Sequence, residues 1–304
     1  MTRKLKSERH HWWPLCVSKH WNDEGGCTHW IGPSGETVRA PAKNFGVIGN
    51  AHHVKLGKNN EFTSWDQNFE KEFREADDRF PDVIDFLNGL KRVHVPLRKR
   101  PIDRFIPQHT DENMLSDLIE CIVSLAVRSP KFRESAVALA EHIRGPIAKK
   151  ERNSLIASNL MHCQRRFADA LMLKGKIAVL YSFAKEFIFG DGFYQNLRVE
   201  DLDGEGVRII VPVTPNITVL FANPYQYISE PRLVTLMLTD GEVGFFNNTV
   251  QVYSGKSLFY RNLAPILLND FRIGKHLFYG HPDPIDNWVN ELSGVQLVPP
   301  SIIF

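Results

Sequence analysis

Val207-Arg208-Ile209-Ile210-Val211-Pro212-Val213-Thr214-Pro215-Asn216-Ile217-Thr218-Val219-Leu220-Phe221 is the stretch that decides the fold class. Val207 to Val213 and Ile217 to Phe221 are rich in β-branched residues, and Pro215-Asn216 breaks the run between them. Two strands are predicted. Leu233 to Leu238 predicts another strand, Gly241 to Tyr253 a helix packed on that sheet, and Ser257 to Tyr260 a further strand. Just upstream, Phe187-Ile188-Phe189 reads as a short strand ending in the turn Gly190-Asp191-Gly192.

Before this β-rich part the period changes. Ser64-Trp65-Asp66-Gln67 reads as a capping box, and Phe69, Phe73, Ala76 and Phe80 recur at helical spacing. Thr110-Asp111-Glu112 opens a second helix with Leu115, Leu118, Ile119, Ile122 and Leu125 on its apolar face. Ser129-Pro130 starts a third, which runs to His142 and stops at Gly145-Pro146. Further helices are predicted over about 147–173 and 175–184. Pro96, Pro101 and Pro107 make roughly 92–109 a basic loop. Nearer the N-terminus, Pro14 to Trp21 predicts a short helix with Pro at its first position. Cys27 to Ile31 and Glu36 to Ala40 predict a hairpin around Gly32-Pro33-Ser34-Gly35, and Asn44 to Val54 a loop. The expected class is α+β: an N-terminal β-hairpin subdomain (1–60), a helical middle (61–185) and a C-terminal mixed β-sheet (186–304), packed as one unit.

Of the 304 residues, 43% are hydrophobic and 24% charged, which excludes a disordered or fibrous chain. No run approaches the length of a spanning helix. The basic start, Met1-Thr2-Arg3-Lys4-Leu5-Lys6, is not followed by an apolar segment, so no secretory signal is expected. Four cysteines do not make a disulfide framework, and a reducing cytoplasm is the expected location.

The formal charge is +2, yet it is uneven along the chain. Glu61 to Asp85 holds nine acids and three bases; Lys91 to Arg104 and Arg144 to Arg166 each hold six bases and one acid. Such runs are solvated faces or, for the basic pair, walls of a phosphate-binding groove.

Histidine and cysteine crowd the first 53 residues, which hold six of the 12 His and two of the four Cys. Cys16 and His20 share a helical face, and Cys27 and His29 share a strand face. Together they make a candidate structural zinc set, although no C-x2-C or H-x3-H pair is present. The same region holds the residue types of a metal-dependent nuclease: His11 as general base, Asn44 or Asn50 to orient it, and His52 or His53 as a ligand. Mg²⁺ or Mn²⁺ would be its cofactor. G-x-S-x-G, Walker A, H-E-x-x-H and C-x-x-C are absent. Asp191, at a strand end between two glycines, is placed to bind a metal or act as a base, and Glu200, Asp201, Asp203 and Glu205 crowd the next loop.

Several short motifs occur in a fixed order. His10-His11-Trp12-Trp13-Pro14 is followed by Pro41-Ala42-Lys43-Asn44, Arg128-Ser129-Pro130-Lys131-Phe132-Arg133, Phe187-Ile188-Phe189-Gly190-Asp191, Val211-Pro212-Val213-Thr214-Pro215, and Asn247 or Asn248 before Tyr253. This series resembles a bacterial domain-of-unknown-function family whose members begin H-H-Y-V-P-x-x-Y-L and later carry R-[ST]-P-x-x-R and F-I-T-S-D-N-P. Trp13 replaces the family's Val, Val17-Ser18 its Tyr-Leu, and Gly192-Phe193 its Asn-Pro. The resemblance implies a bacterial cytoplasmic protein of the kind found among mobile or defence genes; it implies no chemistry.

Dispersed polar residues of this sort either satisfy buried groups or face a cleft. In the cleft reading, His11 and Asp191 supply acid–base or metal chemistry, while Arg128, Arg133 and Asn247 hold a phosphate. The expected function is then a nucleic-acid-directed hydrolase, a nuclease-like effector of a defence or toxin system. The competing reading is a non-enzymatic binding or sensing subunit with a protein partner.

Overall fold

The computed structural model describes residues 9–49, 53–54, 67–68, 70–93, 101–195, 207–222 and 232–274. The chain runs β1 (Arg9–His11), α1 (Leu15–Ser18), β2 (Thr28–Ile31), β3 (Thr37–Ala40), β4 (Val47–Gly49), β5 (His53–Val54), β6 (Gln67–Asn68) and α2 (Glu70–Gly89). It continues with β7 (Ile106–Gln108), α3 (Glu112–Arg128), α4 (Pro130–Arg144), α5 (Lys149–Lys174), β8 (Lys176–Tyr181), β9 (Phe189–Gly190), β10 (Arg208–Thr214) and β11 (Ile217–Ala222). Last come β12 (Leu233–Met237), α6 (Asp240–Tyr253), β13 (Leu258–Tyr260) and α7 (Asn269–Arg272). The class is α+β. The capping box at 64–67, residues 94–100 of the basic loop, Asn50, His52 and the acidic loop 200–205 fall wholly or largely outside the described residues.

The larger sheet has the order β10-β11-β8-β12-β7, with β8 and β12 parallel and every other neighbouring pair antiparallel. Its centre corrects the expectation of a helix over 175–184, because Lys176–Tyr181 is the central strand. All six of its residues are buried. A strand covered on both faces reads as a continuous apolar run, which by periodicity alone matches a buried helix equally well. Gly175 separates α5 from β8, and Arg232 closes the end of α5 by donating to the Leu171 and Gly175 carbonyls at 2.9 and 3.2 Å. β7 lies within the stretch expected to be loop. It is an edge strand, where the missing N–H of Pro107 is tolerated.

The second sheet has the order β3-β2-β13-β9. The predicted hairpin is β2–β3, but its other side is completed by β13, with Leu258 opposite Ile31. Conversely β7 and β8, from the helical middle, complete the larger sheet. The three expected regions therefore interlace. One continuous apolar core runs from Trp12 to Phe259.

Helix ends follow local chemistry. The Asp111 carboxylate caps α3 by accepting from Met114 N at 2.8 Å. Ser129 caps α4 ahead of Pro130, and Gly145, at φ +76°, ends it. Thr239 and Glu242 form a full capping box on α6.

α2 continues through Pro81, and this has a side effect. Proline has no N–H to give the carbonyl four residues back, so the Asp77 carbonyl loses its helical partner. The Cys16 thiol donates to that carbonyl at 3.3 Å, and the Cys121 thiol donates to its neighbour, Ala76, also at 3.3 Å.

Candidate functional site

Most motifs of the ordered series meet around residues 186–193. Phe187 N donates to the Pro215 carbonyl at 2.8 Å. The Asn247 amide grips the same segment from α6, accepting from Ile188 N at 3.0 Å and donating to the Glu186 carbonyl at 2.9 Å. Phe189 stacks on Trp13 with ring centroids 4.3 Å apart, and Trp12 stacks on it from 6.0 Å. Trp12 and Trp13 are held in place because the backbone N–H of each donates to the Gly46 carbonyl. Lys131 N, in the first turn of α4, donates to the Asp191 carbonyl at 3.1 Å. Four stretches distant in sequence thus converge on one short strand and turn.

The turn is tight. A Cβ on Gly190 would strike the Ser254 hydroxyl, and one on Gly192 would strike the Tyr253 carbonyl and the Lys131 side chain. Between them Asp191 is 6% exposed. Its carboxylate accepts from Gly255 N at 2.7 Å and Lys256 N at 2.8 Å, so both oxygens hold the turn that follows α6. Burial pushes its pKa up to about 6, against the pull of those N–H groups, and the nearby Glu134 charge raises it further. Lys131, whose own pKa is lowered by burial, faces both acids.

Arg128 is fully buried at the end of α3. Its two terminal nitrogens fork onto the Asp77 carboxylate of α2 at 2.6 and 3.2 Å, its Nε donates to the Ser124 carbonyl, and its guanidinium lies over the Phe73 ring. The expected phosphate clamp is therefore a tie between two helices. Arg133, 7% exposed, lies on α4, where burial and the charge of Arg152 lower its pKa to about 10. Arg128 thus answers to α2 and Asn247 to the 186–188 segment, so these two do not share one phosphate cradle. The physical reason is burial: the Arg128 guanidinium and the Asn247 amide find partners inside the protein, as buried polar groups generally must. His11 is half-buried on β1, opposite Val47.

The expected zinc set does not assemble. Among the described residues no three His, Cys, Asp or Glu side chains gather as metal ligands. The Cys16 thiol is engaged at the Pro81 break, and burial pushes its pKa up to about 11, away from the thiolate a metal needs. His20, in the 3-10 turn that follows α1, is held below its ordinary pKa by burial and the Lys19 charge. His29 stacks on Tyr260 and shares a 2.8 Å hydrogen bond with the Arg261 carbonyl. Cys27 precedes β2, and its N–H bonds the Asp23 carboxylate at 3.1 Å.

Asp77, the acid that fixes Arg128, was missed by sequence reasoning. Its only signal is the acidic run 61–85, where nothing distinguishes it from its solvated neighbours. Of the cations in 144–166, Arg144 pairs with Glu151 and Arg152 with Glu141. Among the described residues no helix is long and apolar enough to cross a membrane. No protein-family model, curated protein or solved structure matches the chain.

Proposed function

We propose that this chain is a non-enzymatic binding or sensing component, of the kind a bacterial defence complex contains, rather than a nucleic-acid-directed hydrolase. One observation carries the reading: Arg128, Asp191 and Asn247, three side chains a hydrolase would turn toward its substrate, are engaged inside the protein. A phosphate clamp needs guanidinium N–H groups free to meet an anion, and Arg128 gives its own to Asp77. A catalytic carboxylate needs access, and both oxygens of Asp191 hold backbone N–H groups. Asn247 spends its whole amide on Glu186 and Ile188.

The hydrolase reading keeps one observation in its favour. A carboxyl raised to about 6 suits proton transfer near neutrality. The test is incubation of the purified chain, and of His11→Ala, with labelled single- and double-stranded DNA and RNA in Mg²⁺ and in Mn²⁺. The binding reading expects no cleavage, and a defined hetero-complex when the chain is purified from the cells that make it. Metal-dependent cleavage that disappears in His11→Ala at unchanged melting temperature overturns it.

A further inference from the structure

α4 is a thinly packed helix. It buries Phe132, Arg133 and Val137 of its 15 residues, whereas α3 buries eleven of 17. On its last two turns Leu139 is 57% exposed and Ile143, four residues on, is 72% exposed. The elbow into α5 is cationic. Glu151 and Glu141 answer Arg144 and Arg152, but Lys149 and Lys150 have no ion pair among the described residues. Both lie in the first turn of α5, where the helix dipole is already positive and Ala148 supplies no side-chain cap. An apolar pair beside uncompensated positive charge is complemented by an acidic helix face.

This chain carries such a face on α2. Glu75, Asp78, Asp82 and Asp85 are exposed and spaced three, four and three residues apart, so they line one side of the helix over roughly 15 Å. None of the four has an ion pair among the described residues. Exposed Pro81 and half-buried Phe86 flank the stripe. The cation of that stretch, Arg79, turns instead to Asp117 and Glu120 of α3.

We propose that the α4–α5 elbow of one copy docks on the acidic face of α2 of a second copy. Lys149 and Lys150 meet the carboxylates, and Leu139 and Ile143 pack against the apolar flank. The contact joins two different surfaces, so each copy has one of each to offer. It is electrostatically steered and weakens with salt.

The test is sedimentation velocity of the full chain across protein concentration at low and high salt. It is run beside Lys149→Gln/Lys150→Gln, Asp78→Asn/Asp82→Asn and Leu139→Ser/Ile143→Ser. All the substituted residues are exposed except half-buried Lys150, and thermal melts confirm that each variant is folded. The wild type is expected to exceed monomer mass at low salt and to return to monomer at high salt. Each charge variant alone is expected to stay monomeric. Mixed together they share one intact elbow and one intact α2 face, so a complex of two copies and nothing larger should form. The apolar variant should weaken association roughly tenfold. A wild type that is monomeric in every condition overturns the proposal. So does association that survives both charge variants, or a mixture that stays monomeric. Binding of a labelled oligonucleotide lost in Lys149→Gln/Lys150→Gln, from a chain that never self-associates, would assign the elbow to nucleic acid instead.

Discussion

Around residues 186–193, Asp191, Asn247 and Ser254 all end on backbone atoms, and Phe187, Phe189 and Phe193 are wholly buried. Along α4 the pattern is reversed: two large aliphatic side chains face solvent, and two lysines just beyond the helix have no ion pair among the described residues. Both regions carry residues that attract notice in the sequence, Asp and Asn in one and a basic run in the other. The difference teaches where to look for function. Asp191, Asn247 and Ser254 are spent on folding the chain, whereas a surface that binds something else is left with groups still to be answered.

That comparison can be broken at its strong end. Arg128→Ala would strand the Asp77 carboxylate between two helices and empty the space against Phe73. A loss of about 3–5 kcal/mol is expected from urea denaturation. If the variant keeps wild-type stability, Arg128 is free to act on a ligand and the contrast collapses.

Next in size is a pH effect. Asp191 has a folded pKa of about 6, above its ordinary 3.8, so the folded protein holds a proton that the unfolded chain has released. Its contribution to stability is full below about pH 4 and is lost as pH rises through about 6, a change of about 3 kcal/mol. Denaturation midpoints at closely spaced pH values should show this downward slope, and Asp191→Asn should flatten it. An unchanged slope in the variant would mean that another group titrates there.

Asn247→Ala should cost about 2 kcal/mol, since it leaves Ile188 N and the Glu186 carbonyl without their partner. Hydrogen exchange should quicken at Ile188, which separates this local loosening from a general loss of stability. At the weak end, Leu139→Ser/Ile143→Ser should move stability by no more than about 0.5 kcal/mol, because neither side chain is buried. A larger loss would place these residues in the core and remove α4 from the comparison.

The fold was legible where the local signal was one-sided. Asp111 and Ser129-Pro130 mark their helix starts through their own side chains, and β-branched residues with Pro/Asn breaks between them mark β10, β11 and β12. β8 was missed because Ile177, Ala178, Val179 and Leu180 are all buried, and an uninterrupted apolar run carries no period. β7 was missed because Pro107 and a basic neighbourhood argue for a loop, and only the edge position makes a strand there tolerable.

The candidate site was legible as residue types but not as roles. Arg128 and Asp191 stand out in sequence, yet what each does depends on Asp77 and on Gly255-Lys256, 51 and 65 residues away. The cysteines misled for a related reason. A thiol that donates to a carbonyl released by Pro81 looks, in sequence, like a thiol waiting for a metal.

The pairing of β2 with β13 has a consequence for the making of the protein. Ile31 and Leu258 lie about 230 residues apart, so the hairpin emerges long before the strand that will complete its sheet. At typical synthesis rates of about 5–20 residues per second the wait is on the order of 10–50 s. Through that interval β2 presents an open edge to whatever is nearby, and closing so long a loop adds its own entropic cost. The newborn N-terminal half is therefore the part a chaperone has most reason to hold, and a ribosome stalled short of residue 258 would release a chain whose hairpin can pair with the wrong neighbour.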